Sequence, residues 1–208
     1  MTDAPRTTVF LARHGETVWH HENRYAGVSD IALTPRGVAQ AEALGVWAGD
    51  ARLDALVSSP LARARRTAAP ASHVTGLAVS VEPALIETDF GIAEGRTLGE
   101  LEASHPAECA AFRRDPAAHP LPGGEDPGAA TARGADALLR LADRHPGGRV
   151  LVVAHNTLLR LVLCRLLSIP ASEYRRVLPR MVNCAVTELG VTGGRAALLS
   201  YNVPTFRT

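Results

Sequence analysis

Two short apolar segments of the sequence each end in a histidine that is followed at once by turn residues. His14 follows the run VFLAR, and His155 follows the run VLVVA. Apolar runs without alternation are typical of strands that are buried on both faces of a parallel sheet. Ligands of such sheets bind at the carboxyl ends of the strands, where helix N-termini direct N–H groups at anions. The sequence therefore predicts that both histidines face one cleft.

Strand-like and helix-like segments alternate along the chain, which favours an α/β fold. Strands are predicted at residues 8–12, 55–58, 78–81 and 150–154. Helices are predicted at residues 36–48, 61–74, 98–114, 129–144 and 157–167, with Thr34 capping the first and Pro35 at its start. The segments AVTELGV and RAALLSYNV predict a closing hairpin with an antiparallel edge strand. The predicted architecture is a three-layer sandwich whose mostly parallel central sheet lies between helices.

The length and charge of the chain limit its class. At 208 residues we predict one domain over residues 1–208. The formal net charge of +1 argues against nucleic acid or a membrane surface as partner, because both require a concentrated positive field. The N-terminus lacks the apolar core of a signal peptide, and three widely spaced cysteines predict neither disulfides nor a zinc site. We expect a cytoplasmic protein, and the sequence leaves open whether it forms a homo-oligomer.

The residues beside the two histidines indicate a phosphate ligand. Arg13 precedes His14, and Arg63 follows the turn of a third strand-to-helix transition, LVSSPLARARRTA. The planar guanidinium fork matches phosphate oxygens, and a neutral imidazole is able to attack phosphorus. Gly15 is expected to let the backbone pass close to the phosphate. A dinuclear metal site on His14 and His155 is the alternative, but no carboxylate flanks both, so we predict neither metal nor cofactor.

Several segments, in order and spacing, resemble the histidine phosphatase superfamily, also called phosphoglycerate-mutase-like. They span most of the chain and read RHGET, LTPRG, SSPLARARRTA, LIETDFGIAEG and PGGED, followed by the strand that ends in the second histidine. The resemblance implies a phosphohistidine on His14 and a phosphate held by Arg13, Arg63 and His155. It also implies that Glu87 is the general acid and base.

Some positions leave alternatives open. Asp89 and Glu94 compete with Glu87 for the acidic role, and only the register of the resemblance favours Glu87. His20 stands where the family more often has an asparagine that contacts phosphate, so it is expected either to donate a similar bond or to narrow the pocket. Asn156 stands where glycine is usual after the second histidine, and asparagine tolerates the positive φ of such a turn.

The resemblance points to the phosphatase branch of the superfamily. The Pro- and Gly-rich stretch around residues 114–128, with the helices before it, predicts a cap-like region at residues 96–128. Ala93 stands where a bulky aromatic residue is frequent, which predicts a larger pocket. The expected activity is hydrolysis of a small phosphomonoester. A phosphoglycerate mutase and a non-catalytic phosphate-binding regulator are the alternatives, and the sequence does not rank the substrates.

Overall fold

The computed structural model describes residues 5–206, and six strands of this part form one mixed sheet. The strands are β1 (Thr7–Arg13), β2 (Ala55–Ser58), β3 (Val79–Val81), β4 (Arg149–Ala154), β5 (Val186–Thr192) and β6 (Arg195–Val203). Their order is β3-β2-β4-β1-β5-β6, and the first four run parallel. β5 is antiparallel to β1, and β6 is antiparallel to β5. The predicted fold class is confirmed; residues 1–4 and 207–208 of the predicted domain lie outside the described residues.

Seven helices connect these strands within residues 5–206. They are α1 (Pro35–Asp50), α2 (Ala62–Thr75), α3 (Leu98–Glu102), α4 (Pro106–Arg114), α5 (Pro127–Arg144), α6 (Asn156–Leu166) and α7 (Tyr174–Val177). Thr34 caps α1 as predicted, since its side chain accepts a hydrogen bond from the Gly37 N–H. The prediction of one helix over residues 98–114 is wrong. His105 has φ −137° and ψ 56° and separates α3 from α4, because a residue before proline disfavours the helical conformation.

The sheet is buried on both faces. Val9 and Leu11 of β1 pack with residues of α5 and α6, whereas Phe10 and Ala12 point the other way and pack with residues of α1 and α2. This alternation follows from the two-residue period of a strand. It explains why the strand sequences are apolar without interruption. No helix among residues 5–206 is long and apolar enough to span a bilayer.

The cap-like region has a small apolar core of its own, formed by Ala93, Leu101, Cys109, Phe112 and Leu121. Ala93 is fully buried there, so its small side chain packs inside the cap and does not enlarge the pocket as expected. Residues 115–126 form a loop, as predicted from the prolines and glycines. The Ile92 N–H donates to the Pro122 carbonyl at 3.0 Å, which holds this loop against the rest of the protein.

Candidate active site

The register of the sheet brings the two predicted histidines together. Arg13, the last residue of β1, pairs with Ala154, the last residue of β4. The next residue of each chain segment is a histidine, and the ring centroids of His14 and His155 are 5.2 Å apart. β2 lies on the other side of β4, and Ser59, the residue directly after β2, donates its N–H to the Val153 carbonyl at 3.0 Å. Three strand ends therefore meet at one edge of the sheet.

A cleft of about 350 Å³ opens at this edge. The predicted site residues that line it are Arg13, His14, His20, Glu87 and Asn156. Arginines to which the sequence analysis gave no role in the site also line it, namely Arg24, Arg160 and Arg175. The remaining two members of the predicted phosphate clamp, Arg63 and His155, are fully buried.

His14 is held as a neutral imidazole with a defined tautomer. Its Nδ1 lies 2.8 Å from the Gly15 carbonyl oxygen, which only accepts, so Nδ1 carries the proton and Nε2 keeps its lone pair. Burial, followed by the positive charges of neighbouring groups, lowers the pKa of His14 well below its ordinary value. This is the state that a nitrogen nucleophile requires.

Gly15 has a different role from the one expected. A Cβ at this position would lie 2.5 Å from the carbonyl oxygen of Gly37 in α1, so only glycine fits. Its N–H donates to the Thr67 hydroxyl at 3.0 Å and is not directed at a ligand. Gly15 therefore lets β1 and α1 approach each other.

Arg13 is fixed by two partners. One terminal nitrogen donates to the Met181 carbonyl at 2.9 Å, and the other lies 2.6 Å from Nε2 of His20. Because a guanidinium only donates, His20 accepts through Nε2, and its Nδ1 lies 2.8 Å from the Thr17 hydroxyl. Burial first, and then Arg13, lower the pKa of His20 to about 4. His20 thus orients Arg13.

Arg63 lies beneath the loop of residues 26–29. Its guanidinium donates to the carbonyl oxygens of Ala26, Gly27 and Ser29 at 3.1, 2.6 and 2.6 Å. The carboxylate of Glu94 binds donors of the same loop: it accepts from the Gly27 N–H at 2.8 Å and from the Ser29 hydroxyl at 2.7 Å. The carboxylate of Glu94 is therefore committed to this loop and does not line the cleft.

Glu87 lies in the irregular segment after β3, and its carboxylate contacts the first turn of α6 beside the cleft. Its carboxylate accepts hydrogen bonds from the backbone N–H groups of Thr157 and Leu158 at 3.0 and 2.8 Å. The N–H groups of these two residues are therefore occupied by Glu87. Asp89, the other acidic candidate, accepts from the Gly91 N–H at 2.8 Å and does not line the cleft.

Buried donors without a partner converge on this site. Nε2 of His155 lies 2.6 Å from the Ser59 hydroxyl. Among residues 5–206 the hydroxyl has no other group to which it could donate its proton, so it donates to Nε2. The proton of the neutral imidazole therefore lies on Nδ1. The buried side-chain atoms that lack a hydrogen-bond partner within residues 5–206 are Arg13 Nε, Arg63 Nε, His155 Nδ1 and Thr88 Oγ1. Buried polar atoms are nearly always paired. Three of these four belong to the predicted clamp, which is suited to an oxyanion.

Comparison with known families agrees with this geometry. The profile of the histidine phosphatase superfamily, branch 1, matches residues 9–204. The chain belongs to this superfamily. The predicted family is thereby confirmed over most of the chain.

Relatives of this chain are named as enzymes of more than one kind. The probable phosphoglycerate mutase GpmB of Erwinia tasmaniensis is 32% identical over 181 residues, 87% of this chain and 83% of the relative. The structure of YhfR from Bacillus stearothermophilus has a TM-score of 0.89 at 29% identity and covers 95% of this chain and 97% of its own. A mycobacterial glucosyl-3-phosphoglycerate phosphatase has a TM-score of 0.84 at 30% identity, covering 96% and 99%.

Two asparagines also make contacts at the site. Asn156 is the first residue of α6 and has helical backbone angles, so the expected turn with positive φ is absent there. Its side-chain oxygen lies 3.3 Å from the Met181 N–H. Asn183, which the sequence analysis missed, donates to the carbonyl of His14 at 2.7 Å and lies 3.3 Å from His20. It precedes β5 in an irregular segment that carries no recognisable motif.

Proposed function

We propose that this protein is a phosphomonoesterase that hydrolyses a small metabolite phosphate through a phosphohistidine on His14. The unpartnered donors Arg13 Nε, Arg63 Nε and His155 Nδ1 carry the proposal, since they are buried around a neutral imidazole. A phosphoryl group offers the acceptor oxygens that these donors lack. No group of three or more His, Cys, Asp or Glu side chains within residues 5–206 is arranged to hold a metal ion.

In the first step, Nε2 of His14 attacks phosphorus in line with the ester oxygen. The N–P bond forms as the P–O bond breaks, and the leaving oxygen takes a proton from Glu87. Arg13, Arg63 and His155 stabilise the charge on the equatorial oxygens. Loss of one such preorganised donor commonly costs about 2.7–4 kcal/mol of transition-state stabilisation.

In the second step, water attacks the phosphohistidine. Glu87, now a carboxylate, accepts the proton of the water as the N–P bond breaks, which returns neutral His14 and inorganic phosphate. Oε2 of Glu87 accepts only the Thr157 N–H among residues 5–206, so it keeps a lone pair for the proton in both steps.

A phosphoglycerate mutase is the second candidate, favoured by the name of the relative from Erwinia tasmaniensis. A mutase must protect its phosphohistidine from water and rebind an intermediate, for which the family uses a larger cap. The cap here consists of two short helices and the loop of residues 115–126. We therefore favour hydrolysis. Rapid isomerisation of 3-phosphoglycerate, primed with 2,3-bisphosphoglycerate and without phosphate release, would overturn this choice.

Phosphate release from a panel of metabolite phosphates tests the proposal. The panel is measured with chelator and without added metal, for the wild type, His14→Ala and the matched control His73→Ala, whose histidine is exposed. We expect release to survive chelation, to vanish in His14→Ala and to persist in the control. Unchanged release by His14→Ala would refute the phosphohistidine route, and release from no compound would favour a non-catalytic role.

A further inference from the structure

Arg133 of α5 joins two segments of the chain that lie behind the cleft. Its Nε and Nη2 donate to the two carboxylate oxygens of Glu125 at 2.7 and 2.8 Å. Its Nη1 donates to the carbonyl oxygens of Ala84 and Ile86, both at 2.7 Å, and Nη2 also donates to the carbonyl oxygen of Glu87 at 3.3 Å. A guanidinium carries five N–H donors, and these contacts use all of them. The side chain of Arg133 is therefore fixed.

Glu87 is held at both of its ends. At the backbone end, Arg133 binds the carbonyl oxygen of Glu87 itself and two carbonyl oxygens of the preceding residues. At the other end, the carboxylate accepts from the N–H groups of Thr157 and Leu158 in the first turn of α6. The place of the carboxylate beside the cleft depends on both attachments, because a shift of the backbone end would move or break the bonds at the tip.

Glu125 connects this arrangement to the cap-like region. It belongs to the loop of residues 115–126, and its N–H donates to the carbonyl oxygen of Asp89 at 3.0 Å. The loop is thus attached to the segment around Glu87 twice, once by this backbone bond and once through Arg133. Neither Arg133 nor Glu125 lines the cleft, so an effect of either residue on the reaction must pass through other groups.

We infer that Arg133, itself held by Glu125, is a positioning residue that fixes the carboxylate of Glu87 where the leaving oxygen takes its proton. Misplacement of a reacting group by about 1 Å can cost about 100-fold in rate, even when the substituted residue is distant from the chemistry. Lysine does not replace this arginine, because it has three donors and no planar fork. The inference rests on the proposed function and adds a residue that supports its acid step.

Two other roles for Arg133 predict a different pattern. If it only stabilises the fold, its loss lowers the hydrolysis of every ester by a similar factor. If its charge acts at long range, as in its contribution to the lowered pKa of His155, the loss is again uniform, and Arg133→Lys restores activity because it keeps the charge. A positioning role depends on the leaving group, since an alkoxide needs the proton of Glu87 and p-nitrophenolate does not.

The experiment measures kcat/KM, which reports the first step, on the best alkyl phosphate of the panel and on p-nitrophenyl phosphate. We expect Arg133→Gln to lower it about 10- to 100-fold more on the alkyl ester. Arg133→Lys should restore only part of this loss, and Glu125→Gln should show a smaller loss of the same pattern. Arg140→Gln is the matched control, since Arg140 lies in the same helix and is exposed. In the Glu87→Gln background, Arg133→Gln should add no further loss that depends on the leaving group.

Each result decides between the possibilities. Equal losses on both esters, in Arg133→Gln or in the milder Glu125→Gln if the former does not fold, would refute the inference. Full recovery in Arg133→Lys would establish the charge role instead. An undiminished effect in the Glu87→Gln background would show that Arg133 does not act through Glu87. These results leave the phosphatase function standing, whereas release from no ester of the panel would refute that function itself.

Discussion

Protonation of His20 is expected to destabilise the folded protein in mild acid. Its Nε2 accepts from Arg13, and burial, followed by the charge of Arg13, lowers its pKa from 6.5 to about 4. The unfolded chain binds this proton with the ordinary pKa of histidine, so below about pH 6.5 it holds a proton that the folded protein excludes. The contribution of His20 to stability is therefore fully present above this pH and is lost as the pH falls toward 4.

The size of the loss follows from the two pKa values. A lowering from 6.5 to about 4 corresponds to about 3 kcal/mol in the free energy of unfolding, at 1.36 kcal/mol per pKa unit. About 2 kcal/mol of this is lost by pH 5. His14 and His155, whose pKa values are also lowered by burial, act in the same direction. The contribution of His20 alone is a sizeable part of the stability of a typical domain, about 5–15 kcal/mol.

Urea unfolding at pH 8 and at pH 5 measures this loss. The quantity compared is the change in the free energy of unfolding between the two pH values within each protein, so a lower stability of the variant at pH 8 does not matter. We expect the change to be about 2 kcal/mol smaller in His20→Gln than in the wild type. His73→Gln, which removes an exposed histidine, should keep the wild-type change. Equal changes in the wild type and His20→Gln would refute the reasoning.

Three further predictions concern the site and its support. Glu87→Gln should lower kcat/KM, which reports the first step, by about 10²- to 10⁴-fold on alkyl phosphates and less on p-nitrophenyl phosphate, whose leaving group needs no proton; equal losses in kcat/KM would contradict its role as acid. Glu94→Gln should disturb the loop that holds Arg63 and weaken competitive inhibition by inorganic phosphate about tenfold or more; unchanged inhibition would contradict this link. Gly37→Ala would place a methyl group 2.0 Å from a backbone carbonyl, so thermal unfolding should show a loss of about 1–3 kcal/mol, whereas Gly99→Ala, with nothing nearer than 3.9 Å, should not.

Local signals in the sequence were enough to locate the site. The apolar runs before His14 and His155 indicated strands that are buried on both faces. Because the ends of parallel strands lie at the same edge of the sheet, the two rings were expected to lie close together, and their centroids are 5.2 Å apart. The break before α4 also had a local signal, since Pro106 disfavours a helical conformation at His105.

Other features depend on contacts between distant segments and could not be read locally. The need for glycine at position 15 comes from the approach of α1, 22 residues later at Gly37. The structure favours Glu87 over Glu94 as the proposed acid only because the carboxylate of Glu94 is bound to the loop of residues 26–29. Both acidic residues stand in the same short motif, so composition and spacing do not separate them.

The antiparallel strand β5 explains how the site is held together. From the sequence, this strand merely closes the sheet. Because it runs opposite to β1, its first residues lie at the carboxyl end of β1, where Val186 pairs with Ala12. The segment before β5 therefore reaches His14, the proposed nucleophile: the Met181 carbonyl accepts from Arg13, and Asn183 donates to the carbonyl of His14. A parallel strand in this place would present its carboxyl end and a following loop, so the reversed direction of β5 supplies the contacts that orient Arg13.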